Sequence, residues 1–361
     1  MANSSFFILH SSFKRFSILH FSFFIFFLLC SFSANAQIFK KRVEKVKQKA
    51  DSLYTQYEDK ILAADSVLAE RYNKADIDTA YLARPTERWT FKVRANVTGT
   101  DFRINSTQDG VPVKADLEAD HKATASFSVS YRGITVGGAL NPAALVGKYK
   151  DFEINLNSYT NRYGFDIITQ DAKRFDGWIK VGDNPKIKPE NGSIHERSFN
   201  VNAYYVFNHR RFSYPAAFTQ SYIQKRSAGS LLVGSSLEWQ KLKHTDQLDQ
   251  SSYKLNTFNF ALGAGYAYNF VPSRRWLIHA TLLPTFVVNG SQKLTVNGVK
   301  EKMQTAFPQV ILTARSAVIY NFKNYFLGTN MVFNYSNIGR PKHVEVLHLK
   351  WLFRAFVGLR L

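Results

Sequence analysis

Leu349-Lys350-Trp351-Leu352-Phe353-Arg354-Ala355-Phe356-Val357-Gly358-Leu359-Arg360-Leu361 closes the chain, and its reading decides the fold. Leu349, Trp351, Phe353, Ala355, Val357, Leu359 and Leu361 share one face, while His348, Lys350, Leu352, Arg354, Phe356, Gly358 and Arg360 share the other. A period of two is that of an extended strand, whose side chains point alternately to opposite faces. A chain ending on such a strand is expected to leave it free to close a barrel.

The same alternation recurs upstream. Trp89, Phe91, Val93, Ala95 and Val97 alternate with Thr90, Lys92, Arg94, Asn96 and Thr98. Ala125, Phe127, Val129 and Tyr131 alternate with hydroxyl residues, Phe199 to Phe207 with Ser198, Asn200 and Asn202, and Phe258 to Tyr268 with Thr257, Asn259 and small residues. A soluble sandwich also alternates, but its strands average about five or six residues, whereas membrane strands need about 9–11 with aromatic residues near their ends. Several runs reach that length, with Trp89, Trp239, Trp276, Tyr320, Tyr325 and Tyr335 near their limits. The expected fold is all-β, an antiparallel transmembrane β-barrel of about twelve strands.

The segments fall near 88–104, 113–132, 133–140, 150–159, 161–170, 196–208, 228–243, 253–270, 275–289, 307–322, 325–337 and 346–361. Short joins alternate with long ones (171–195, 241–252, 290–306 and 338–345), as periplasmic turns alternate with external loops. That alternation holds only if 209–227 is a periplasmic-side insert, because a spanning strand there would exchange the two sides. Pro215 within it cannot donate to a ladder. The insert is expected to fold irregularly under or into the barrel. Asn297-Gly298 reads as a small external hairpin.

Outward from this region, the N-terminus divides into a leader and a helix. Lys14 and Arg15 precede an apolar run from Phe16 to Leu29, and Ala34-Asn35-Ala36 is a small-x-small site, so residues 1–36 read as a signal peptide. Its removal takes Cys30, the single cysteine, and two of the +20 net charges, leaving 325 residues at +18. Disulfides and cysteine-based metal or nucleophile sites are thereby excluded from the mature chain. Cys30 as a lipoprotein cysteine is the other reading, and Leu29 before it fits poorly. Residues 37–75 read as a periplasmic amphipathic helix, with Val43, Val46, Ala50, Leu53, Tyr57, Ile61, Ala64 and Leu68 spaced by threes and fours and a basic first half. Residues 76–87 form a linker.

Two runs carry a family resemblance. Phe212-Ser-Tyr-Pro-Ala-Ala-Phe-Thr-Gln220 followed by Gln224-Lys-Arg-Ser-Ala-Gly-Ser230, with Asp78-Thr-Ala-Tyr-Leu82 ahead of the first strand, resembles domain-of-unknown-function family 4421 of Bacteroides-type bacteria. The resemblance spans about 78–361 and implies an exported, outer-membrane β-barrel with no assigned activity and no catalytic residues to carry over.

Candidate sites follow from the faces. If the apolar side meets lipid, Lys92, Arg94, Lys350 and Arg354 point into the lumen with Arg275 and Arg315 as companions, making an interior that favours anions. The alternative is that these cations pair with Asp151, Glu153 and Asp166 in a plugged, structural interior. Arg210, Arg211, Tyr214, Gln220, Gln224, Lys225 and Arg226 concentrate polar groups in the insert, where they could gate the lumen or dock a periplasmic partner. No catalytic residue, metal site or cofactor is expected, since His121, His195, His209, His244, His279, His343 and His348 are scattered and neither G-x-S-x-G nor H-E-x-x-H occurs. The expected partners are outer-membrane lipid, the barrel-assembly machinery and a periplasmic or cell-wall partner for the helix, with no nucleic acid. The functional reading is a structural barrel or narrow anion-preferring pore. The alternatives are an envelope hydrolase acting on lipid or polysaccharide and a surface or periplasmic binding module.

Overall fold

The computed structural model describes residues 76–361 apart from 109, 132–133, 141–151, 191, 246–251, 303–308 and 341–343, together with Glu44, Gln48, Ala63, Ser66, Val67 and Glu70. Those six are helical, and the remainder of the expected N-terminal helix and the leader lie outside the described residues.

Among the described residues, fifteen strands form one antiparallel sheet, and twelve of them follow a single path through it. In chain order these twelve are β2 (Trp89–Gln108), β4 (Lys122–Tyr131), β5 (Ile134–Leu140), β6 (Phe152–Tyr159), β7 (Tyr163–Ala172), β9 (Ile194–Val206), β11 (Ala228–Thr245), β12 (Ser252–Ser273), β13 (Trp276–Val296), β15 (Val310–Phe322), β16 (Tyr325–Arg340) and β17 (Val344–Arg360). The final strand pairs with β2 from Arg360↔Thr90 to Val344↔Ser106, so the terminal period-two run joins the last of the twelve strands to the first. Leu361 and Trp89 exchange both backbone hydrogen bonds at its foot, at 2.9 and 2.8 Å.

The remaining strands extend this core. β3 (Val111–Ala119) runs along the upper half of β2, β8 (Phe175–Val181) pairs with β3, and β14 (Val299–Lys302) completes the Asn297-Gly298 hairpin on β13. Both turn residues there have positive φ, 47° and 87°, as a tight twisted hairpin demands. The expected single strand at 113–132 is interrupted at Asp120 and His121, where its outer neighbour changes from β8 to β5. Much of the expected loops 171–195, 241–252, 290–306 and 338–345 is strand instead, because edge-to-edge pairing in the sheet satisfies their backbone.

The two ends of the path, β5 and β6, are not paired with one another among the described residues. The sheet nevertheless curls on itself, because side chains on distant strands meet across the interior. Arg315 on β15 bonds Asp166 on β7, Ser336 on β16 bonds Glu238 on β11 at 3.3 Å, and Thr100 on β2 bonds Gln170 on β7 at 3.3 Å.

Burial runs opposite to that of a soluble protein over the lower part of the strands. Lys92, Asn96, Ser128, Asp166, Asn202, Glu238, Arg315 and Lys350 are buried, while Val93, Phe127, Leu156, Leu231, Leu262, Leu282, Leu327 and Val357 are exposed. Polar-in and apolar-out, bounded by exposed Trp89, Trp239, Trp276 and Tyr325, is the arrangement a strand adopts when its outer face meets lipid. The fold is a transmembrane β-barrel.

Candidate functional site: the occupied lumen

Residues 207–227 turn inward at the end of the barrel that carries the tight joins. A five-residue helix, α1 (Tyr214–Phe218), lies there with all five residues buried. Ser213 caps it, accepting from the Ala216 amide at 3.2 Å, and Pro215 in the first turn lacks an N–H that would have no helical partner in any case. So short a helix has no stability of its own. Its rings hold it in place: Tyr214 packs against Tyr204 at 4.7 Å, Phe212 against Tyr214 at 5.2 Å and Phe218 against His279 at 5.2 Å between centroids. The apolar cluster continues into Leu232, Leu283, Ile319, Phe326 and Phe356 of the wall.

A chain of hydrogen bonds locks this plug to the barrel. The Asn269 amide donates to the Ser213 carbonyl and to Gln224 Oε1, both at 2.9 Å. Its Oδ1 therefore accepts from His279 Nδ1 at 2.7 Å, which leaves His279 Nε2 to accept from Thr281 Oγ1 at 2.7 Å. Thr281 is in turn bonded to the Tyr214 hydroxyl at 2.8 Å. Lys92 Nζ donates to Gln220 Oε1 at 2.8 Å, and Arg360 to the Gln220 carbonyl at 3.3 Å.

Below the plug a strap crosses its exposed side. β1 (Leu82–Ala83) pairs with β10 (Ile223–Gln224), and the Lys225 amide donates to the Tyr81 carbonyl at 2.7 Å. Asp78 accepts from the Ala80 amide at 3.0 Å and from Arg211 at 3.0 Å; both hold its carboxyl below the ordinary aspartate range, with some desolvation opposing them. Arg210 bonds Asp76 at 2.9 Å, and Arg226 lies over the Tyr81 ring. The expected insert set thus divides into two: Tyr214, Gln220 and Gln224 are buried in the plug, and Arg210, Arg211, Lys225 and Arg226 are exposed beneath it.

The lumen residues divide as well. Lys92, Arg315, Lys350 and Arg354 are buried inside, and Arg94 reaches Ser126 at 3.1 Å from the same wall. Arg275 is not among them. It sits on the exposed turn between β12 and β13, bonded to the Tyr320 hydroxyl at 3.4 Å and lying over Phe322. A residue in a two-residue turn has left the pleat, so alternation counted along the strand does not fix its side. Arg315 pairs with Asp166, which also accepts from Tyr159 at 2.5 Å. Of the other acidic partners proposed from sequence, the side chains of Asp151 and Glu153 lie outside the described residues.

Above the plug are two small adjoining cavities, sharing Ile168, Asn202, Asn334 and Lys350 in their walls. Glu238, Ser236, Ser336 and His348 line one of them, and Asn157, Asp166 and Leu352 the other. A second apolar cluster closes the far end: Phe102, Leu117, Phe175, Ile194, Leu255 and Val346 are buried against Ile104, Ile179 and Leu242. Phe102 stacks on His348 at 4.5 Å, at the boundary between the chamber and this closure. Sequence reasoning missed the closure. Its signal is the change of apolar phase in β2, from odd positions up to Val97 to the even positions Phe102 and Ile104.

The fold defines a transmembrane β-barrel with a short helix and its flanking segment packed inside one end. A family model described as Domain of unknown function (DUF4421) matches residues 76–360, and the chain belongs to that family. Comparison with the curated proteins finds no match. Among solved structures, the chain is similar to the outer membrane protease OmpT from Escherichia coli at 8% identity and TM-score 0.38, covering 79% of this chain and 100% of that one. It is similar to the outer membrane protein OprG from Pseudomonas aeruginosa at 9% identity and TM-score 0.27, covering 76% and 97%. Similarity to the transport unit of the autotransporter AIDA-I from Escherichia coli is at 9% identity and TM-score 0.32, covering 81% and 97%.

Proposed function

We propose that this protein is exported by its 1–36 leader to an outer membrane, where it serves as a structural barrel that is non-conducting at rest. The observation that carries the reading is the complete burial of α1 across one end of the lumen, opposite a second apolar closure at the other. The exposed apolar band supports the membrane location, since an outward charge-free surface of this kind is stable only against lipid. Outer-membrane lipid and the barrel-assembly machinery are its partners, and residues 37–75 are available for a periplasmic or cell-wall contact.

Lys92, Arg94, Lys122, Arg315, Lys350, Arg354 and Arg360 face the lumen against Asp166, Glu196 and Glu238, so a barrel relieved of its plug favours anions. The hydrolase reading gains little. His279 has a hydroxyl partner in Thr281, but the pair is sealed beneath α1, away from any substrate. Planar-bilayer recording tests the proposal. The wild-type protein is expected to be silent, and a variant with Phe212, Tyr214 and Phe218 replaced by alanine to conduct with anion preference. Steady wild-type conductance would remove the plugged reading, and cation preference in the variant would remove the cationic lumen.

A further inference from the structure

The outward face of β9, β11, β12 and β13 changes from aromatic to cationic within one step of the pleat. Phe199, Trp239 and Phe258 stand in register on the first three of these strands, and all are exposed. Two residues further from the plug, the next outward row is Arg197, Lys241, Asn256 and Lys293, and the row after it is His195, Lys243, Lys254 and Thr295. Lys300 joins that second row opposite Thr295. Among the described residues no outward position of these four strands holds an acid, since the two acids they carry, Glu196 and Glu238, are buried inside. On β7 alongside, Asp171 accepts from His195 at 2.8 Å and from Arg197 at 2.7 Å. The lysines act on one another: the charges of Lys254, Lys243 and Arg197 all reach Lys241. Asp246 and Asp249 follow Thr245 in the chain, and the row nearest the aromatic belt is the one set furthest from them, about 14 Å below Thr245 at roughly 3.4 Å per residue. Elsewhere in the upper half the outward charges are of both signs. Arg103 meets Asp116 at 3.7 Å, His121 meets Glu118 at 2.8 Å, and Asn337 donates to Glu345 at 3.3 Å.

We infer that this face binds a lipid of the outer leaflet whose headgroup carries more than one phosphate, the phosphates on the two lysine rows and the acyl chains against the aromatic belt and the apolar band beneath it. Both halves of such a molecule are met in the right order along the strands: apolar band, aromatic belt, cations. The spacing asks for more than one phosphate. Lys241 and Lys293 flank Asn256 across two strand spacings, about 10 Å at roughly 4.8 Å each, and Lys243 faces Lys254 directly in the row above. Like charges placed opposite one another on neighbouring strands are destabilising, and an anion lying between them removes that cost. Asn256, which offers both a donor and an acceptor, stands between the first pair of lysines for a headgroup hydroxyl. The site rests on the reading of the apolar band as lipid-facing, with the plug and strap at the periplasmic end and these rows at the other.

Native mass spectrometry of the refolded full chain, released from detergent containing diphosphoryl lipid A, monophosphoryl lipid A, phosphatidylcholine or inositol hexakisphosphate, counts what the barrel retains. The wild type is expected to keep diphosphoryl lipid A ahead of the monophosphoryl form and well ahead of phosphatidylcholine. Inositol hexakisphosphate, which has phosphates and no acyl chains, should be held at least about tenfold more weakly. Each lysine close to an anionic headgroup is worth about fivefold in affinity, so Lys241→Gln combined with Lys293→Gln is expected to weaken diphosphoryl lipid A by at least about tenfold and to leave phosphatidylcholine unchanged. Lys188→Gln, at a lysine already paired with Asp176 at 2.7 Å, is expected to change neither. Should the double variant fail to give a heat-modifiable barrel, Lys243→Gln alone is expected to cost about fivefold. Equal retention of the two lipid A forms, equal retention of phosphatidylcholine or of inositol hexakisphosphate, or an unaffected lysine variant overturns the inference. A wild type that does not insert into phosphatidylcholine vesicles as a heat-modifiable species overturns the membrane reading beneath it, whereas one that inserts and shows no preference overturns the lipid site alone.

Discussion

The lower and upper halves of the same strands are built on opposite plans. In the lower half of β2, Val93, Ala95 and Val97 face out while Lys92, Arg94 and Asn96 face in; above Gly99, Asp101 and Arg103 face out while Phe102 and Ile104 face in. β11 repeats the change, with Leu231 and Val233 exposed below and Lys241 and Lys243 outermost above, where Leu242 joins the interior cluster. The lower half is solvated by lipid and keeps its polar groups for itself, while the upper half stands in water and obeys the usual rule of an apolar interior. The lengths agree. β12 has 22 residues and β13 has 21, about twice what a bilayer needs, so the excess must be stable outside it. A barrel built this way carries two kinds of interior, and the polar chamber lies where they meet.

Substitutions that exchange the two plans test that comparison. The largest effects are expected inside. Phe102→Ala removes the most buried ring of the upper closure, at a cost of about 3–5 kcal/mol. Asp166→Asn leaves Arg315 buried without its counter-charge, at a similar cost of about 3–5 kcal/mol. Both are read from the urea dependence of the heat-modifiable species, and a loss under 1 kcal/mol in either would show that its half is not packed as described.

The next effect is on the outer face. Leu262→Arg, placed midway along the lipid-facing band, is expected to cost about 2–4 kcal/mol in folding into vesicles. Lys243→Leu, on the watered half, should change it by no more than about 0.5 kcal/mol. Equal responses at the two positions would erase the boundary between the halves.

The smallest effect belongs to the strap. Because the Asp78 carboxyl is held below its ordinary value of 3.8, the stability it contributes is present above that value and is lost as pH falls through the lower, folded one. Amide exchange at Lys225, corrected for its intrinsic rate, should rise on acidification in that window. Asp78→Asn should show the faster exchange at neutral pH and lose the acid dependence.

The faces of the strands and their approximate number were legible because alternation is a local property: a residue two positions on shares its neighbour's face whatever the rest of the chain does. The reading lost accuracy where the pleat ends or changes phase. Arg275, expected in the lumen, stands on a two-residue turn, and β8, β14 and the upper ends of β13 and β16 fall within the expected loops 171–195, 290–306 and 338–345. Pro215 excluded a central strand at 209–227, but nothing in Phe212-Ser-Tyr-Pro-Ala-Ala-Phe has a helical period. The five-residue turn forms because the barrel supplies Tyr204, His279 and Thr281 to pack and bond it.

The sequence by itself determined that this chain forms about twelve amphipathic strands, that the last of them is built to meet the first, and which side of each strand is apolar. Only the tertiary structure decided what fills the interior. Curling of the sheet brings Arg315 to Asp166 and Ser336 to Glu238 across strands far apart in the chain. Those meetings depend on the curvature of the whole sheet and on the plug inside it, neither of which is written in a two-residue repeat.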